Sequence, residues 1–152
     1  MKLAEALVLR GDLQKRQGQL HARIKRNTLV QEGEHPAEDP NALLTQYEES
    51  ALELRTLICA INHTNAHTPF ESGTMTDALA ERDRLRALVS VVQDIASAAT
   101  VTRSAQTRSE IRFVPTMNVA ALQKKADKLS RDLRDLDVKI QSANWTVDLM
   151  TL

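Results

Sequence analysis

Apolar side chains recur along this chain at alternating steps of three and four residues, in four separate blocks. The first runs from about Lys2 to about Gln31. Leu13, Gln17, Leu20, Ile24 and Asn27 keep the spacing there, with Leu3, Ala6 and Leu7 on the approach and two polar members in the stripe. In the second, from about Pro40 to about Asn65, the stripe is Leu44, Tyr47, Ala51, Leu54, Ile58 and Ile61. The third runs to about Ala99 through Leu85, Leu88, Val92 and Ile95. The fourth carries Val119, Leu122, Ala126, Leu129, Leu133, Leu136, Ile140 and Ala143 with no polar intruder. Such spacing places one greasy stripe along an α-helix and favours partner helices crossing at about 20°. A helix of this length, about 40 Å at 1.5 Å per residue, cannot bury its stripe alone.

Breakers separate the blocks. Glu32 to Pro40 is an acidic connector in which Asp39 and Pro40 read as N-cap and first helical residue. Residues 66–75 hold Pro69 and Gly73, after which Thr74 or Thr76 can cap the third helix, with Asp77 in its first turn. Asn118 caps the fourth. Ser109 to Thr116 is the one stretch with an extended pattern: Ile111 and Phe113 alternate with polar residues and Pro115 closes the run, making it a candidate short strand or hairpin. The pattern predicts an all-α fold, an antiparallel bundle of four long helices in a single domain over residues 1–152. Two long hairpins that complete their core by oligomerising would satisfy it equally. Homo-oligomerisation is expected either way, with a dimer the simplest closed form.

Composition agrees with this picture. Trp145, Tyr47, Phe70 and Phe113 are the only aromatic residues, so Leu, Ile, Val and Ala must fill the seams. Lys plus Arg equals Asp plus Glu, which argues against a general nucleic-acid binder. The charge is unevenly placed: residues 1–29 carry a net of +5 and residues 30–58 a net of −6. These segments are expected to lie against each other or against a neighbouring copy; a basic first helix gripping phosphate or lipid headgroups is the sharper alternative. One cysteine excludes an internal disulfide. Neither an export signal nor an apolar run of the roughly 18–20 residues that a span needs is visible, so the cytoplasm is the expected compartment.

Catalytic signatures are missing. There is no G-x-S-x-G, no glycine-rich phosphate loop and no cysteine cluster. Cys59 beside Ile58 reads as a small apolar side chain without an activating base. His63 and His67 stand four apart at the end of the second helix, with His35 and the connector carboxylates as further conceivable ligands. A histidine near a helix C-terminus is more simply a complement to the helix dipole, so no metal, cofactor or catalytic residue is assigned. Polar residues gather at the segment ends. In an up-down bundle Asn62, Asn65, Asp77, Arg82, Asp83, Asn144 and Trp145 would converge at one end, as caps and turns or as a site for a small ligand or a partner.

Several separated blocks carry a resemblance. The opening Met1 to Leu7 with Asp12 to Arg16, the connector Val30 to Pro40, the turn Ile61-Asn62 to Thr64-Asn65, Thr76 to Ala80 with Arg82-Asp83, Ser109 to Ile111, and Asn144-Trp145 together look like the septicolysin-like family of small bacterial proteins. That resemblance implies a cytolysin without defining catalytic residues. The residues themselves support first a non-enzymatic helical protein that self-assembles and binds a protein partner. A membrane-active helical cytolysin comes second, and a metal- or ligand-dependent enzyme using the polar bundle end third.

Overall fold

A computed structural model describes residues 1–101 and 111–151. Capping chemistry sets most of its helix ends. In α1 (Leu3–Arg26) the Lys2 amide donates to Glu5 Oε2 at 2.6 Å, which satisfies one donor exposed at the helix start. The helix stops five residues earlier than its periodicity suggests. Asn27 turns its amide onto the Arg23 carbonyl (2.9 Å) and accepts from the Glu38 amide (3.1 Å), so this polar member of the stripe closes the helix and anchors the connector. α2 (Pro40–His67) starts as expected, with Asp39 Oδ1 accepting from the Asn41 amide at 2.9 Å. Asn118 caps α4 (Val119–Thr146) by accepting from the Ala121 amide at 3.0 Å.

Between α2 and α3 (Met75–Ala99) lies a two-stranded antiparallel hairpin, β1 (Pro69–Phe70) and β2 (Gly73–Thr74), with Pro69 opposite Thr74 and Phe70 opposite Gly73. Glu71 turns it in the left-handed region (φ 49°). The fold is therefore all-α with one short hairpin. The hairpin is not where alternation placed it. Residues 111–116 form no strand, and Ser109 and Glu110 lie outside the described residues. A strand needs a partner for its backbone groups, and alternation in one run does not supply one.

The chain divides into two compact units, Met1–Thr74 with Ser142–Leu152, and Met75–Gln141. In the first, α1 and α2 pack as a hairpin. Leu3, Ala6, Leu13, Leu57 and Ile61 form its central cluster, with Leu7, Leu9, Leu54, Val147 and Leu149 packed against it. The chain ends are tied in. The Leu3 amide donates to the Val147 carbonyl and the Leu149 amide to the Met1 carbonyl, each at 2.9 Å, while Lys2 Nζ reaches the Thr146 carbonyl (3.0 Å) and Asp148 (2.9 Å).

The α2 stripe differs from the expected one by a single residue at every other position. Leu43, Ser50 and Leu57 are buried, whereas Leu44 is exposed and Ala51 and Ile58 are half-buried. The apolar arc of α2 is wide, and the partner helix chose its other edge.

In the second unit α3 buries Met75, Ala78, Leu85, Val92 and Ala96, and α4 buries Ala126 and Ile140. Arg82 stands near Asp137, and Gln93, Ala96 and Ser97 share a cleft with Gln123 and Ala126, so the two helices run antiparallel. The stripe is again displaced, with Ala96 buried instead of Ile95. On α4 the expected positions are used, yet Leu122, Leu129, Leu133 and Leu136 are only half-buried.

Candidate functional site

The polar residues expected to converge fall in different units. Asn62, Asn65, Asn144 and Trp145 belong to the first; Asp77, Arg82 and Asp83 belong to the second. In the first unit Asn144 is buried, Asn65 half-buried, and Asn62 and Trp145 exposed. The organising residue there is one that spacing did not single out. Thr64 is fully buried. Its hydroxyl donates to the Ala60 carbonyl (2.8 Å) and accepts from the Met150 amide (2.9 Å), while its carbonyl accepts from the Thr68 amide (2.9 Å) and hydroxyl (2.8 Å). A threonine seven residues beyond Leu57 and three beyond Ile61 is a signal for such a role only when the stripe is phased on Leu57.

In the second unit Arg82 pairs loosely with Asp83 (3.5 Å) and lies 4.0 Å from Asp137, a partner on α4 that no local pattern reveals. Its Nε is buried and makes no hydrogen bond among the described residues. Nearby charges are satisfied within α3. Arg84 forks onto Glu81 with two bonds of 2.6 Å, and this hydrogen-bonded pairing holds the Glu81 carboxyl below the usual carboxylate range. These side chains read as a solvated helix face, with Arg82 as its one partly buried member.

The opposite charges of the first two segments do meet. Arg23 forks onto Glu38, its Nε at 3.1 Å from Oε2, and the hydrogen bond lowers the Glu38 pKa and raises that of Arg23. The histidine pair also takes definite form. α2 remains helical through His67, and the rings of His63 and His67 lie with centroids 4.2 Å apart, tilted by 41°. Among the described residues no group of three or more His, Cys, Asp or Glu is arranged around a common metal position. Cys59, one turn before His63, is half-buried and unbonded to another cysteine.

Both units carry exposed apolar side chains, among them Val8, Leu44, Leu52 and Trp145 on the first. On the second they accompany the half-buried leucines of α4. Val91 and Ile95 on α3 and Val138 on α4 are exposed, and Leu133 and Val138 line a shallow groove along α4 with Arg134 and Gln141. At the far end of that unit Ile95, Ala99, Val101, Phe113, Pro115 and Met117 line a second depression. No helix among the described residues is long and apolar enough to cross a membrane.

A crystal structure described as a functionally unknown conserved protein from Corynebacterium diphtheriae is 39% identical to this chain, covers 99% of both chains and superposes with a TM-score of 0.92. No curated protein matches. Residues 10–149 match the model of a family of unknown function, DUF6847. Neither finding connects the chain to septicolysin-like proteins, which corrects that assignment and removes the support for a cytolysin that its name had lent. Several of the blocks that carried the resemblance are helix caps and turns, whose residue types are set by local backbone chemistry and so say little about family. The chain belongs to the DUF6847 family.

Proposed function

We propose that this protein acts without catalysis, as a helical assembly module that associates with a second copy of itself through the α3–α4 hairpin. One observation carries the reading: the longest unbroken apolar stripe of the chain, on α4, leaves Leu122, Leu129, Leu133 and Leu136 half-buried, with Val91, Ile95 and Val138 exposed on the same hairpin. Apolar side chains that join into one exposed patch mark an association surface. The charges favour self-association over a strongly acidic or basic partner. α3 carries four acidic and three basic side chains and α4 four acidic and six basic, so both helices offer both signs. An isologous pair can then set each patch against its complement.

Sedimentation or light scattering of the wild-type protein against Val138→Glu tests this. Val138 is 64% exposed, so the change leaves the hairpin core intact. A dimer that becomes a monomer with unchanged helical circular dichroism is expected. A monomeric wild-type protein at tens of micromolar sinks the proposal, on the scale where a standard interface holds.

A further inference from the structure

We propose that His63 and His67 form a surface site for a divalent transition-metal ion of the kind imidazole prefers, Zn2+, Ni2+ or Cu2+. The residues stand one helical turn apart, and α2 stays regular past them: the Thr68 amide donates to the Thr64 carbonyl at 2.9 Å. Both rings therefore share one face of the helix, with centroids 4.2 Å apart. A ring nitrogen binds such an ion at about 2.0–2.1 Å, which puts the ion about 3.2 Å from each ring centre. Two imidazoles about 90° apart on the ion, as Ni2+ and Cu2+ allow, then have centroids about 4.5 Å apart, and on tetrahedral Zn2+ about 5.2 Å. The observed spacing lies nearer the first and reaches the second by side-chain rotation.

The protonation pattern suits the role. His67 Nδ1 lies 2.8 Å from the His63 carbonyl oxygen, and a carbonyl can only accept. The neutral His67 ring therefore carries its hydrogen on Nδ1 and leaves the Nε2 lone pair available, the arrangement in which a backbone carbonyl orients a metal-binding imidazole. The mount is rigid as well. Thr64, next to His63, is fully buried and held by the Ala60 carbonyl and the Met150 amide. Ligands fixed in this way lose little freedom on binding. With no third protein ligand among the described residues, water or an external ligand completes the coordination, and oxygen-seeking ions such as Mg2+ and Ca2+ gain nothing here. This inference is independent of self-association.

Calorimetric titration of the full chain with NiCl2 and ZnCl2 tests it, comparing wild type with His63→Ala, His67→Gln and, as control, His21→Ala on α1. Saturable uptake of one ion per chain by wild type and the control, lost in both site variants, is expected. Wild-type uptake that is absent, or unchanged in either site variant, overturns the site. Nitrogen-15 imidazole spectra of the wild-type protein need no variant. They should show His67 protonated on Nδ1 and Zn2+ shifting the unprotonated nitrogens of both rings, whereas a shift of one ring alone refutes a shared ion.

Discussion

The two helical units use the same alphabet of leucine, isoleucine, valine and alanine, and close their seams to different degrees. In the first, α1 has the weaker pattern, broken by Gln17 and Asn27, yet Leu3, Leu13 and Leu20 are almost completely buried. In the second, α4 has the cleanest stripe in the chain and leaves four of its leucines partly exposed. The difference lies in what covers the hairpin. The α1–α2 pair receives Val147 and Leu149 from the tail, fastened by backbone bonds to Met1 and Leu3 and by Thr64 to Met150. The α3–α4 pair has no such cover among the described residues: α3 buries Met75, Leu85 and Val92 with two alanines, and α4 contributes only Ala126 and Ile140 as buried apolar positions. Pattern strength thus measures how well a helix could be buried, and the neighbours decide whether it is.

The contrast can be broken most directly by truncating matched leucines. Leu20→Ala should cost about 2–5 kcal/mol, the range for a filled core site. Leu129→Ala should cost less, since part of its surface is already in water. Urea unfolding of both variants at low protein concentration checks this, and equal losses would erase the distinction between the units. Next in size, Thr64→Val should cost about 1–3 kcal/mol, because it strips the Met150 amide of its acceptor while keeping the side-chain volume. Hydrogen exchange should show faster exchange at Met150. An unchanged rate would mean that the tail is held by its apolar contacts alone.

The smallest effect concerns charge. Asp148 is held below the usual carboxylate range, first by the hydrogen bond from Lys2, then by the charge of Lys2, with a smaller contribution from the N-terminal ammonium. A carboxyl lowered on folding stabilises the folded state above its ordinary pKa, and that contribution disappears as pH falls through its lowered folded value. Thermal melts from neutral to acid pH should therefore show a slightly shallower acid-side decline for Asp148→Asn than for wild type. Identical slopes would assign the clasp to its backbone bonds. Because the pair is exposed, salt should narrow the difference further.

Much of the architecture was legible beforehand. The four helices, the Asp39–Pro40 start of α2, the Asn118 cap and the class of fold follow from local rules, because caps and periodicity act within a few residues of themselves. The candidate site was less legible. Arg82 is partly buried near Asp137, but these two residues are 55 positions apart in sequence and only helix pairing brings them together. Thr64 is not legible as a buried residue because the spacing phases the stripe of α2 on Leu44, Ala51 and Ile58, whereas the burial runs through Leu43, Ser50 and Leu57. The helical state of His67, two residues before Pro69, depends on the hairpin that follows, in which Pro69 opens a strand instead of kinking the helix.

By itself, then, the sequence determined that the chain is helical, where three of its helices start, and that each carries one apolar arc. Only the tertiary structure decided which edge of that arc is buried, where the β1–β2 hairpin lies, and that the chain ends are clasped on α1 and α2. The physical reason is range. Backbone capping and side-chain spacing are settled by neighbours in sequence, whereas burial is a property of the surface that a distant segment brings to the helix, and a wide apolar arc offers it more than one choice.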